Sequence, residues 1–304
     1  MKILVAGGAG FIGSHLVERL LSSGEEVTVV DNFVTGNLKN LAGLTSNVNV
    51  IDRDICETSD GEFEVIINLA CPASPVDYQN IPLETLWVSA AGTKNMLDLA
   101  RKNKAMFLHA STSEVYGDPL VHPQKENYWG NVNPNGPRSC YDEGKRFAES
   151  LIVNYQKVHG VNARIFRIFN TYGPRMRAND GRVIPNFVSE AMSGRPITIY
   201  GDGQQTRSFC YIDDMVDGIL SVMNAANFSG PVNLGNPKET TILELAQMIV
   251  DLTGSKSELV FKPLPQDDPR IRQPDISKAR AELGFDPKVD LETGLKKTIE
   301  YFAG

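Results

Sequence analysis

Tyr141 and Lys145 stand four residues apart in Ser139-Cys140-Tyr141-Asp142-Glu143-Gly144-Lys145. On a helix that spacing puts both side chains on one face. An ammonium beside a phenol favours the phenolate, which suits tyrosine to act as a general base near neutral pH. Such a pair is common on helix surfaces and alone says little. It gains weight from His109-Ala110-Ser111-Thr112-Ser113-Glu114, which ends a strand-like run, and from a glycine turn far upstream. In open α/β sheets the carboxyl end of a strand is where ligands bind.

The glycine turn is Gly7-Gly8-Ala9-Gly10-Phe11-Ile12-Gly13. It follows an apolar run and opens an amphipathic one. Gly7 permits a tight turn, Gly10 lets backbone N–H groups approach a pyrophosphate, and Gly13 lets helix and strand pack closely. Asp31 closes the next apolar run, 18 residues beyond Gly13. A carboxylate there accepts hydrogen bonds from ribose hydroxyls and repels a 2′-phosphate, which predicts NAD rather than NADP. Asp54-Ile55, after the third run, is a candidate for the adenine edge.

These residues need a scaffold. Short runs rich in Val, Ile and Leu at 2–6, 26–31, 47–51, 64–69, 105–110 and 162–168 alternate with helical patterns at 11–23, 83–102 and 141–159. That rhythm predicts an α/β fold, a Rossmann-type doubly wound parallel sheet covered on both faces. Beyond Gly173 a polar, turn-rich loop runs to Arg182, too long for a simple connector. Helices at 183–193, 241–252, 276–283 and 291–302 and a strand at 197–200 form a smaller, discontinuous unit. A strand–helix–strand segment at 208–234 returns to the main sheet. The expected division is 1–174 with 208–236 for the dinucleotide, and 175–207 with 237–304 for the substrate.

The 304 residues carry a net charge of −7, which argues against nucleic acid as partner. Cys56, Cys71, Cys140 and Cys210 form no Cys-x-x-Cys, and the four histidines lack ligand spacing, so no metal is expected. Reduced cysteines point to the cytoplasm. The opening Met-Lys-Ile-Leu-Val-Ala-Gly-Gly does not read as a signal peptide, and no apolar run approaches the ~20 residues of a membrane span.

Together, the glycine turn, the Ser/Thr cluster and the Tyr141/Lys145 pair resemble the extended short-chain dehydrogenase/reductase family of nucleotide-sugar enzymes, over nearly the whole chain. Ala6 replaces the threonine common before the glycines. The resemblance implies that Thr112 hydrogen-bonds the sugar 4-oxygen, Tyr141 is the base, and Lys145 lowers the tyrosine pKa and holds the nicotinamide ribose. It extends the cofactor site to Phe11, Ile12, Asn32, Asp54, Ile55, Leu69 and Ala70. Within that family, Cys71-Pro72-Ala73-Ser74-Pro75, Ser111 to Asp118, Cys140 to Arg146, Gly173-Pro174-Arg175-Met176 and Asn179-Asp180-Gly181-Arg182 are similar to UDP-glucuronate decarboxylases, with Cys71 in place of serine.

The implied chemistry is oxidation at sugar C4, loss of CO₂ from the β-keto acid, protonation at C5 and reduction by the retained cofactor. Glu114 is the candidate for managing the C5 proton, with a pKa raised by burial. Ser113 stands where related 4,6-dehydratases carry an acid, which disfavours dehydration. A diphosphate sugar acid needs cationic partners. The resemblance points to Arg207, Arg272 and Asn170, with Tyr78 and Arg182 as further substrate contacts; Arg175 and Arg270 are weaker candidates. It also implies a homodimer through a four-helix interface, although the apolar stripes Leu86, Trp87, Ala90, Leu97 and Phe147, Leu151, Tyr155 read mostly as core. The alternative activity is a UDP-sugar 4-epimerase using the same Thr112, Tyr141 and Lys145.

Overall fold

The computed structural model describes residues 1–304 except 45, 58–59, 229 and 265–270. Strands β1 (Lys2–Ala6), β2 (Glu26–Asp31), β3 (Val48–Asp52), β4 (Val65–Asn68), β5 (Met106–Thr112) and β6 (Ala163–Ile168) lie where the apolar runs predict them. A seventh strand joins them, and every pairing in the sheet is parallel. Val and Ile fill these strands because helices cover both faces. Every residue of β4 is buried, and so are Ile3 to Ala6 of β1.

The strand order is β3-β2-β1-β4-β5-β6 and then β11 (Pro231–Leu234). The chain runs outward from β1 through β2 and β3, then crosses back to lay β4 on the other side of β1. That reversal opens a crevice at the carboxyl ends of β1 and β4, the place where such sheets bind ligands. Helix α1 (Phe11–Ser22) leaves β1 directly into it.

A short helix not foreseen from the sequence, α2 (Pro75–Asn80), carries Tyr78. Ser74 at its N-cap and Pro75 at its first position are the signal for it. The single helix expected over 83–102 is three segments. Helix α3 (Pro82–Trp87) passes through a π turn at Val88–Gly92 into α4 (Thr93–Asn103). The turn falls in the small residues Val88-Ser89-Ala90-Ala91-Gly92, and a Cβ on Gly92 would meet Ile55 at 2.8 Å.

Helix α5 (Ser139–His159) packs on α3 through small residues, with Gly144 against Ser89. The core expected along the two stripes holds fully at Leu97 and in part at Ala90, Leu151 and Tyr155, and fails at Leu86, Trp87 and Phe147. Leu86 is 40% exposed, Trp87 64% and Phe147 53%, because no described residue covers these side chains on α3 and α5.

The remaining chain builds the opposite wall. Strand β7 (Thr171–Tyr172) pairs with β10 (Cys210–Tyr211), and β8 (Ile197–Tyr200) with β13 (Leu259–Lys262). Strand β9 (Thr206–Ser208) lies between β12 (Glu239–Thr241) and β14 (Ile271–Arg272). The β9–β14 register sets Arg272 beside Arg207. Helices α6 (Val183–Met192), α7 (Ile212–Asn224), α8 (Ile242–Thr253), α9 (Ser277–Leu283) and α10 (Leu291–Ala303) complete the packing. A reciprocal capping box of Thr241 and Glu244 starts α8. Among the described residues no helix is long and apolar enough to cross a membrane, and no His/Cys/Asp/Glu group could hold a metal ion.

One ion pair fixes α5 to the sheet. Arg167 on β6 forks onto Glu149 of α5, with contacts of 2.9 and 2.7 Å, and Ser111 of β5 donates to the same carboxylate at 2.5 Å. Arg167→Ala leaves that half-buried carboxylate unpaired. We expect a loss of about 3 kcal/mol in urea unfolding, whereas a surface pair such as Lys94–Asp98 contributes below ~1 kcal/mol.

Candidate active site

A cleft of about 750 Å³ runs along the carboxyl edge of the sheet between the two parts of the chain. Its walls include Thr112, Glu114, Tyr141 and Lys145, the glycine turn, and Tyr78, Asn170, Arg182, Arg207 and Arg272. The fold thus brings to one cavity residues spread across more than 260 positions of sequence.

At the cofactor end, the geometry fits a dinucleotide. Gly7 has φ +77°, and a Cβ there would lie 2.8 Å from the Ala70 nitrogen. A Cβ on Gly13 would lie 2.1 Å from the Gly7 carbonyl, so only glycine lets α1 start this close to β1. Gly10 is the N-cap of α1; no side chain caps that end and no acid occupies its first turn. An uncapped helix start at the bottom of a cleft suits an anion such as a pyrophosphate.

Asp31 accepts from the Ala9 and Phe33 amides at 2.9 Å each, one on each oxygen. The remaining lone pairs are positioned for hydroxyl donors. Burial raises its pKa and the two amides oppose this. Asn32 donates to Asp54 at 3.0 Å, and Asp54 also accepts from the Cys56 amide at 2.8 Å. Phe11, Ile12, Ile55, Leu69 and Ala70 line the same end.

In the middle of the cleft, Tyr141 is 5% exposed and stacks on Tyr78, ring centroids 5.0 Å apart and planes within 5°. The Thr112 side chain lies close enough to that phenol to work toward a lower pKa. Lys145 lies 5.8 Å from the Tyr141 ring centroid and donates to the Ala110 carbonyl at 2.9 Å. The expected acidifying effect of Lys145 is not what dominates here. Burial, with the neighbouring Cys71 thiol next, pushes the phenol pKa up, against the Thr112 side chain and Arg182. The Lys145 ammonium is held by the Ala110 carbonyl.

Glu114 corrects a second expectation. Burial does work to raise its pKa, but Arg272 and Arg138 overcome it and hold the carboxyl down at about 2. Arg138 reaches one oxygen at 2.6 Å and Arg272 the other. Arg272 also donates to the Gly117 carbonyl at 3.1 Å. Glu114 is therefore an ionised brace between two guanidiniums in this state, not a proton donor.

Sequence reasoning missed Arg138, which packs 6.0 Å from the Tyr78 ring centroid, and Asp142, which is buried. The available signal was helical spacing: Arg138 precedes Tyr141 by one turn, in Gly136-Pro137-Arg138. The substrate candidates vary in their engagement. Arg182 bonds Asp180 at 2.8 Å yet lies close enough to act on Tyr141. Arg207 donates to the Thr206 carbonyl at 2.9 Å. The Asn170 amide nitrogen and the Tyr78 hydroxyl are buried with no protein partner. Arg175, with φ +66°, pairs with Glu18 of α1. Arg270 lies outside the described residues.

A test of the brace follows from its sign. Glu114 has a folded-state pKa below the ordinary 4.5, so its stabilisation is present above that value and is lost as pH falls toward 2. Glu114→Gln should therefore cost about 3 kcal/mol in denaturant unfolding at neutral pH, and the difference from wild type should shrink progressively below pH ~4.5.

Comparison with known proteins agrees with this architecture. The model of the NAD dependent epimerase/dehydratase family matches residues 3–235. UDP-glucuronic acid decarboxylase 1 of Danio rerio is 54% identical over 99% of this chain and 72% of its own length. UDP-glucuronic acid decarboxylase 3 of Arabidopsis thaliana is 51% identical over 99% of this chain and 89% of its own. Among solved structures, UDP-glucose 4-epimerase of Thermotoga maritima with UDP-glucose superposes with a TM-score of 0.93, at 32% identity over 100% of this chain and 99% of that one. UDP-glucuronic acid 4-epimerase of Bacillus cereus, in complex with UDP-glucuronic acid and NAD, gives 0.90 at 30% identity, with the same coverage. With the dinucleotide cradle, the Tyr141/Lys145 pair and a family match over most of its length, this chain belongs to the NAD-dependent epimerase/dehydratase family.

Proposed function

We propose that the protein is an NAD-dependent UDP-glucuronate decarboxylase that forms UDP-xylose. The observation that carries this reading is the set of guanidiniums at the centre of the cleft. Arg138 and Arg272 brace Glu114, and Arg182 bears on the Tyr141 phenol. A sugar bearing a carboxylate finds cationic partners there; a neutral hexose has no carboxylate to offer them. The relatives at 51–54% identity are named for this activity.

NAD, when bound, supplies a reversible two-electron oxidant and a fixed positive charge near the phenol. Tyr141 removes the proton from the sugar 4-hydroxyl, with the Thr112 hydroxyl holding that oxygen. Once C4 is a ketone, the C6 carboxylate is β to a carbonyl; CO₂ leaves without the C5–C6 bonding pair, which stays on C5 and is delocalised onto the C4 oxygen, and a proton delivered to C5 and the hydride returned to C4 would complete UDP-xylose. Thr112 and Tyr141 stabilise the resulting enolate by hydrogen bonding. Tyr78, stacked on Tyr141, seals the phenol from water. Asp31 selects a free 2′-hydroxyl on the adenosine ribose. Arg207 and Asn170 are proposed to hold the diphosphate. The division into a dinucleotide part (1–174 and 208–236) and a substrate part (175–207 and 237–304) is proposed on the same basis.

A 4-epimerase would use the same Thr112, Tyr141 and Lys145, and the Bacillus cereus epimerase superposes closely. Product analysis separates the two. Incubation with UDP-glucuronate and NAD should release one CO₂ per UDP-xylose, with no net accumulation of reduced cofactor. Formation of UDP-galacturonate without CO₂ would establish the epimerase instead. Tyr141→Phe should lower kcat by roughly a hundredfold or more while leaving UDP-glucuronate binding nearly intact.

We also propose a homodimer through α3 and α5, supported by the exposed Leu83, Leu86, Trp87 and Phe147 on their outer faces. Trp87→Asp should shift the sedimentation coefficient from dimer to monomer; an unchanged value would place the interface elsewhere. Four free cysteines support a reducing compartment such as the cytoplasm.

A further inference from the structure

One segment of the substrate wall crosses to the other half of the molecule. Residues 174–182 follow β7 and lead into α6. Ala178 and Asn179 at the tip are exposed, whereas Met176 and Asp180 on either side are buried. Ser189 of α6 donates to the Ala178 carbonyl at 3.3 Å, which ties the segment to its own wall.

Its other contacts reach across. His15 of α1 donates through Nε2 to the Pro174 carbonyl at 3.0 Å, and Glu18, on the same face of α1, pairs with Arg175. Asp77 of α2 pairs with Arg177, Ser74 donates to the Asp180 carbonyl, and Gly181 lies against Val76. Helix α1 follows β1 and α2 follows β4, so the two helices are the lips of the crevice that opens between those strands. A chain tied to both lips passes over the opening. Residues 175–177 and 180–182 line the same cleft as Gly10, Phe11 and Tyr141.

We propose that residues 174–182 form a strap that retains NAD between turnovers, with Glu18 and Asp77 as positioning residues that hold it shut. This goes beyond the decarboxylase reading, which needs NAD kept through a whole cycle but does not say what keeps it. Arg175 has φ +66°, a conformation that costs free energy in a residue other than glycine. The contacts of the strap must offset that cost, and the pair with Glu18 is made at that very residue. Breaking the ion pairs therefore favours the open strap.

The sign of the charge separates a strap from a simple field. NAD carries an anionic pyrophosphate. Neutral near-isosteres at Glu18 and Asp77 remove negative charge from its surroundings, which by field alone strengthens its binding. Loss of the anchors of a strap does the opposite. The full-length protein is loaded with radiolabelled NAD, chased with excess unlabelled NAD, and sampled for retained label. Glu18→Gln combined with Asp77→Asn should release NAD roughly five- to tenfold faster than wild type, the size expected for losing two partly exposed ion pairs. Trypsin should also cut after Arg175 and Arg177 roughly fivefold faster in the variant, because an open strap exposes both bonds.

Unchanged or slower release overturns the proposal, as does faster release without faster cleavage at either arginine. Should the double variant not fold, Asp77→Asn alone goes through the same two measurements and decides. A wild type that holds NAD but evolves no CO₂ from UDP-glucuronate sinks the decarboxylase reading and leaves the strap standing. A wild type that loses its label as fast as the variant overturns the strap and leaves that reading standing.

Discussion

The cleft is arranged around the burial of one phenol, that of Tyr141, the proposed base. Tyr141 lies under Tyr78, against Thr112 and Cys71, in surroundings that disfavour its anion. A tyrosine so placed is inert until positive charge arrives. Lys145 is pinned to the Ala110 carbonyl at the end of β5 and so is fixed in position, although it does not ionise the phenol by itself. For the proposed base to lose its proton, positive charge must be brought near it, which requires each neighbouring group to be held tightly.

Holding them is the work of the scaffold. Ser111 and Thr112 end β5, Arg167 lies across on β6, and Tyr141, Lys145 and Glu149 share α5. The Arg167–Glu149–Ser111 contacts clamp these three elements about two turns from Tyr141. On the far side, the pairing of β14 with β9 brings Arg272 beside Arg207 and onto Glu114. Charges here are cross-braced: each guanidinium that faces the cleft also steadies a backbone carbonyl or a carboxylate.

Much of this was legible in the residues themselves. The strand runs and the glycine turn have strong local causes, namely β-branched side chains buried on two faces and backbone approaches that exclude a Cβ. Tyr141, Lys145, Thr112 and Asp31, expected from spacing, strand ends and family resemblance, all line one cleft. Electrostatics was less accessible. That Glu114 is held at low pKa depends on Arg272, 158 residues away, and on Arg138, whose role no spacing rule announces. The exposure of Trp87 and Phe147 was hidden for a similar reason, since periodicity marks an apolar face without saying what covers it. The π turn at Val88–Gly92 reflects a tertiary fit against Ile55 rather than a helix signal.

The order of strands along the sheet has a consequence for synthesis on the ribosome. The edge of β6 stays open until residues 231–234 emerge to pair with it as β11, and Arg272 arrives later still. The glycine turn and the Ala70 backbone it packs against are therefore synthesised long before Arg272. The end of the cleft that faces the dinucleotide is built from the first residues made, and its cationic end from nearly the last.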